Sequence, residues 1–126
     1  MPYSLTVEPA LVRVVFFGTL TAADLHAMAN DVSAIERARS VSHNRLTDLS
    51  HVSDIQLTYA DMLAYVTQRQ TQWRALPLRS ALVAPTALSV GFARMFQTLS
   101  EQAEVEVFAT VEAAEAWLGR ANAWAR

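Results

Sequence analysis

Asp48-Leu49-Ser50-His51-Val52, running on through Asp54-Ile55-Gln56-Leu57 to Thr58-Tyr59-Ala60-Asp61, is the stretch whose reading decides the fold. Arg45 to Leu49 reads as a strand. Asp48 and Ser50 carry short side chains that accept neighbouring backbone N–H groups, so a turn is expected from Ser50 onward. Thr58-x-x-Asp61 has the spacing of a capping box with Asp at the acid position, and Met62, Leu63, Val66 and Trp73 then recur at helical spacing. A strand feeding a helix in this way is half of a strand–helix–strand unit, the building block of α/β folds.

The same grammar extends in both directions. Tyr3, Leu5 and Val7 alternate with polar neighbours as a half-buried strand does, and Pro9-Ala10 turns the chain into a second strand, Leu11 to Phe17. Only Arg13 interrupts that run, which predicts a strand covered on both faces and ended by Gly18. Thr21-Ala22-Ala23-Asp24 repeats the capping signal ahead of Leu25, Met28, Val32 and Ile35, a first helix reaching about Arg37. Downstream, the second helix stops before Pro77 and Arg79 to Ala84 forms the fourth strand. Pro85-Thr86 opens a third helix striped by Leu88, Phe92, Met95 and Leu99. Val105 to Phe108 is the fifth strand. Thr110 caps a last helix bearing Val111, Ala114, Trp117 and Leu118, with Gly119 as its stop and Trp124 packing part of the tail. The predicted order is β-β-α-β-α-β-α-β-α in a single domain over 1–126. Its five-stranded mixed sheet is mostly parallel, with helices on both faces and the first strand antiparallel after a tight turn.

With 52% hydrophobic residues in 126, the chain can bury a core without disulfides or metal. Charged residues make up 17%, below the roughly 25% of an average soluble protein, which points to a surface suited to self-association and an expected homodimer. Net charge is −2 with scattered arginines, so no phosphate-backbone footprint exists and nucleic-acid binding is not expected. Cysteine is absent, which removes thiol nucleophiles and sulfur-ligated zinc, and every basic side chain is an arginine, which removes Schiff-base and Walker-type lysines. Neither a leader nor a membrane span of ~20 apolar residues is visible, and a cytoplasmic protein is expected.

On these residues the chain resembles the small bacterial SpoIIAA-like proteins of the STAS (anti-sigma-factor-antagonist) fold. The resemblance rests on Asp48 to Val52 and on four later pieces. These are Arg79-Ser80-Ala81-Leu82-Val83-Ala84, Gly91-Phe92-Ala93-Arg94-Met95-Phe96, Val105-Glu106-Val107-Phe108 and Glu112-Ala113-Ala114-Glu115-Ala116-Trp117-Leu118. It implies a non-catalytic regulatory or protein-interaction module. In that family the strand leads to an Asp-Ser-Ser-Gly turn with a phosphorylatable serine. Here Gln56-Leu57-Thr58-Tyr59 stands in its place, so the phospho-switch motif is not retained. Related folds include lipid-binding CRAL-TRIO domains, which makes a binder or carrier of a small lipophilic or anionic ligand the alternative.

Candidate contacts gather where ligands meet open α/β sheets, beyond the carboxyl ends of the parallel strands at the helix starts. Ser50, His51, Thr58, Tyr59, Thr86 and Arg94 form this expected ligand or partner edge. Thr58 reads chiefly as an N-cap contributing roughly 1 kcal/mol. Asp48, Ser50 and His51 hold the residue types of a catalytic triad, but strand neighbours point to opposite sides and no Gly-x-Ser-x-Gly elbow is present, so no catalysis is expected. His26, His43 and His51 lack the i, i+4 pairing of a helical metal site, and neither metal nor cofactor is expected. Arg94 lies off its helix's apolar stripe, free to clamp an acidic group. Gly91, costly inside a helix, is expected to sit against another backbone. Core packing is expected to take most of the surface of Tyr59, Met62, Tyr65, Val66 and Trp73, with a dimer interface or an apolar groove as the alternative for Tyr65 and Trp73, and Tyr59, Phe92 and Phe96 are expected to line any ligand pocket.

Overall fold

The computed structural model describes residues 2–9, 11–39, 44–72, 79–100 and 104–124. Its elements are β1 (Tyr3–Val7), β2 (Leu11–Thr21), α1 (Ala22–Arg39), β3 (Asn44–Gln56), α2 (Tyr59–Gln72), β4 (Arg79–Val83), α3 (Ala87–Leu99), β5 (Glu104–Phe108) and α4 (Val111–Trp124). The strands lie side by side in chain order, β1 antiparallel to β2 and every later pair parallel. This is the mixed five-stranded sheet that the strand and helix order implied.

Strand alternation divides the sheet into two unequal faces. Val12, Val14 and Phe16 of β2, Leu49 of β3, Leu82 of β4 and Val105 of β5 face one way, where they meet Leu25, Met28 and Val32 of α1, Met62, Tyr65 and Val66 of α2, and Phe92 of α3. Each such fully buried side chain is worth about 1.5–3 kcal/mol relative to exposure, so this three-helix layer holds most of the stability. On the other face Leu11, Leu46, Ala81 and Val83 are covered by Ala114 and Leu118 of α4 alone. Arg13 ties that helix down, with Nε on Glu8 Oε2 and Nη2 on Glu115 Oε2, both at 2.6 Å. Because α4 touches β3, β4 and β5, the same face of β2 is left partly open: Phe17 is 43% exposed, not covered as expected.

Two strands outrun their predicted ends for one reason. Gly18 adopts φ +72°, a left-handed conformation that suits glycine, and the β2–β3 register shifts on either side of it. β2 therefore bends and continues, pairing Phe17 with His51, Gly18 with Val52, Leu20 with Ile55 and Thr21 with Gln56. Gly18 does not end the strand. Ser50 and His51 accordingly lie within β3 instead of in a turn, and the β2–β3 ribbon projects past β4, whose last partner is Asp48. Gly119 likewise fails to stop the last helix, which runs through it to Trp124; no Cβ contact or positive φ marks that position.

Candidate functional site

Each helix starts behind a threonine at the carboxyl end of the strand before it. Asp24 N–H donates to Thr21 Oγ1 at 3.3 Å, Asp61 N–H to Thr58 Oγ1 at 3.1 Å, Ser89 N–H to Thr86 Oγ1 at 3.1 Å, and Ala113 N–H to Thr110 Oγ1 at 3.2 Å. The boxes close reciprocally at Thr21, Thr58 and Thr86, whose own N–H groups reach Asp24, Asp61 and Ser89 at 3.2, 2.9 and 3.1 Å. These caps gather four helix N-termini, each with its positive dipole end, along one edge of the sheet.

Between two of those helix starts the projecting ribbon opens a groove. Ile55 and Leu57, at the end of β3 and just beyond it, face Ala87, Leu88, Gly91, Phe92 and Met95 of α3 across an open volume of about 360 Å³. Chain adjacency puts Thr58 and Tyr59 at one lip and Thr86 at the other. Tyr59 is 60% exposed, and Leu88 and Leu63, predicted to be on buried stripes, are 45% and 44% exposed. Leu88 lines the groove instead. Gly91 is not packed against another backbone: an added Cβ would meet nothing within 4 Å, because it would enter the groove.

The remaining candidates separate from that edge. Ser50 N–H donates to Asp48 Oδ1 at 2.9 Å, while the exposed His51 ring stacks on Phe17 with centroids 5.4 Å apart and planes 25° from parallel. No hydrogen bond links His51 to Asp48 or Ser50 among the described residues. Arg94 clamps no acid there either: its Nη1 donates to Gln97 Oε1 at 2.9 Å within its own helix. His26 Nδ1 pairs with Gln68 Oε1, and His43 and Trp73 lie outside the described residues. Tyr65 packs in the core, 4% exposed with its ring 5.8 Å from Phe96, and does not extend to an interface. Phe92 and Phe96 do line an interior recess of about 20 Å³, yet exposed Tyr59 takes no part in it.

Missed by the sequence reading is a buried ion cluster in the same layer. Glu36 of α1 accepts from Arg45 Nη2 of β3 on one oxygen and from Arg69 Nη2 of α2 on the other, each at 3.3 Å. Burial, and next the Arg69 cation, push the Arg45 guanidinium down to about 10, and burial raises the Tyr65 phenol. A signal was available, since Glu36 follows buried Val32 by four residues and Arg69 follows buried Val66 by three. Charges on an apolar stripe announce a partner inside.

No protein-family model matches the chain, and no curated protein does. Solved structures do. The structure of the anti-sigma factor antagonist SpoIIAA in its unphosphorylated form superposes with a TM-score of 0.63 at 18% identity, over 93% of this chain and 97% of that one. An uncharacterised DUF3478-family protein with a SpoIIAA-like fold from Shewanella loihica PV-4 gives 0.60 at 17% identity, over 92% and 91%. The phosphorylated form of SpoIIAA, a Bacillus cell fate determinant, gives 0.54 at 13%, over 91% and 98%. The superpositions run over almost the full length of each, and the chain has the SpoIIAA-like fold.

Proposed function

We propose that the chain is a non-catalytic STAS-type regulatory module that binds another protein through the groove between β3 and α3. The open apolar groove beside exposed Tyr59 carries this reading, because contiguous apolar surface rimmed by polar helix caps is what a protein partner buries. The partner that fits is an apolar ridge, such as one face of an amphipathic helix. The fold of an anti-sigma factor antagonist agrees with such a role.

Thr58 acts in this scheme as a cap and not as a phosphorylation switch. Its hydroxyl oxygen is taken by the Asp61 N–H, and the Asp61 carboxylate sits 2.9 Å from the Thr58 N–H. A phosphate on Thr58 would compete with that carboxylate and be repelled by it. Docking is then set by partner concentration. A photo-crosslinking residue at Leu88 tests the scheme in cells: a discrete heterologous adduct, lost when Leu57→Glu or Gly91→Glu charges the groove, is expected. An adduct of twice the chain's mass would replace the partner with a second copy. Crosslinking indifferent to both substitutions would remove the groove from the mechanism.

A further inference from the structure

The buried face of the β3–β4 ladder carries hydroxyls where a core ordinarily places carbon. Arg45 stands opposite Ser80 and Thr47 opposite Leu82 across that ladder, so strand alternation puts all four on one face, beneath the helix layer. With Tyr65 of α2 and Phe92 and Phe96 of α3, they line the recess of about 20 Å³. The Arg45 side chain is 7% exposed, and its Nε, fully buried, meets no hydrogen-bond acceptor among the described residues. The ion pair with Glu36 does not relieve it, because that contact is made by Nη2. Buried donors are almost always paired, so this one calls for a partner in the recess.

Volume limits what the partner is. A water needs roughly 10–15 Å³ on this measure, so there is room for one, and any polyatomic anion is too large. The chemistry of the walls agrees with the size. A water oxygen accepts from Nε–H, while its protons need acceptors, a role open to the hydroxyl oxygens of Thr47, Tyr65 and Ser80. Buried waters typically make about three hydrogen bonds, a set that Nε–H and two of these hydroxyls complete. A halide ion only accepts, and the negative charge it brings is one that Glu36 already supplies to Arg45.

We propose that the recess is a hydration site for a single internal water, which accepts from Arg45 Nε–H and donates to hydroxyls of Thr47, Ser80 or Tyr65. The water links β3 to β4 or α2 beneath α3 and accounts for the polar Thr47 and Ser80 among Phe16, Leu25, Met28 and Leu82. Only Phe92 lines both this recess and the docking groove, so either reading can fail without the other.

A high-resolution crystal structure of the full chain tests the site directly. Expected is one peak with the scattering of a water oxygen, about 2.7–3.2 Å from Arg45 Nε. In solution, a nuclear Overhauser effect between water and the Arg45 Hε proton, with the sign of a long-lived contact, should accompany it. Two variants keep the Arg45–Glu36 pair and change only the recess. Ser80→Ala leaves the room and should keep the water. Ser80→Val puts a methyl group in its place and should lose both the peak and the Overhauser effect, with a melting temperature below that of Ser80→Ala because Nε is stranded. Filling a dry hole has the opposite effect, raising the melting temperature of the valine variant above that of the alanine variant. A recess without density, a peak with the scattering of a halide, or a valine variant more stable than the alanine variant overturns the proposal.

Discussion

Replacing Gly91 by alanine separates two accounts of why a glycine sits in the middle of α3. If it were there for close packing, a methyl group would collide and destabilise the protein. In the structure the added Cβ has nothing within 4 Å, and φ at Gly91 is not in the positive range. No steric term opposes the intrinsic preference of a helix interior for alanine, which is about 0.8–1.0 kcal/mol. Gly91→Ala should therefore stabilise the fold by nearly that amount. For a domain of this size the gain corresponds to about 3–5 °C in melting temperature, between the sensitivities of smaller and larger domains. Urea unfolding should show a higher midpoint at an unchanged slope, since a single methyl hardly alters the surface exposed on unfolding. A midpoint equal to or below that of the parent protein would refute the reasoning and restore close packing as the reason for the glycine. A successful result carries a corollary: a residue that costs stability yet relieves no crowding is one whose absence of side chain keeps the groove open, so Gly91→Leu should fold normally and fail to dock.

Other consequences can be checked with the same material. Thr58→Ala removes one side of the α2 capping box and should cost about 1 kcal/mol in urea unfolding; combined with Asp61→Ala the losses should be less than additive, because both act on one box. Glu36→Gln keeps the shape of the side chain but leaves Arg45 and Arg69 without their shared anion, and should cost about 3–5 kcal/mol, enough to unfold a marginal domain; retention of more than half the parent stability would show that the cluster is better hydrated than its burial indicates. The Tyr3 phenol donates to Asp31, and this hydrogen bond, followed by burial, raises it to about 12. Its folded value exceeds the unfolded value near 10, so its contribution is complete below pH ~10 and is lost as pH climbs through about 12. Absorbance at alkaline pH should show late tyrosinate ionisation from Tyr3 and Tyr65, and Tyr3→Phe should remove the Tyr3 share and leave that of buried Tyr65.

How far the residues announced this structure depends on which physical signal each element used. Helix starts were legible because Thr21, Thr58, Thr86 and Thr110 satisfy backbone donors locally, and a local bond leaves a local pattern. Helix and strand order followed from periodicity for the same reason. Strand ends were not legible, since β2 and β3 lengthen each other across the bend at Gly18, and no window around either strand contains both partners. Exposure of Leu63 and Leu88 was hidden likewise: a helical stripe says which residues share a face, while the width of the covering layer is tertiary. At the edge, Thr58 and Thr86 flank a groove as chain position implied, yet Leu57, Leu88 and Gly91, which shape it, lacked the polar chemistry that draws attention.

The strand order has one more consequence. Each parallel connection moves one place in the same direction, from β2 to β3 to β4 to β5, with no reversal. Open α/β sheets that bind nucleotides do so where the order reverses and two connections diverge to opposite faces, parting their loops into a crevice. Between β2 and β5 this sheet has no such parting. Its opening comes from a difference in length: β3 continues past β4, and the step left at the sheet's rim is walled on one side by strand and on the other by helix. A recess built by such an overhang is shallow and elongated, with a floor that a single side chain can fill, and its width follows strand length. On the proposed docking role, insertions or deletions between Ser53 and Leu57 would change the partner's seat, together with the rim of the core that Ile55 and Leu57 pack against.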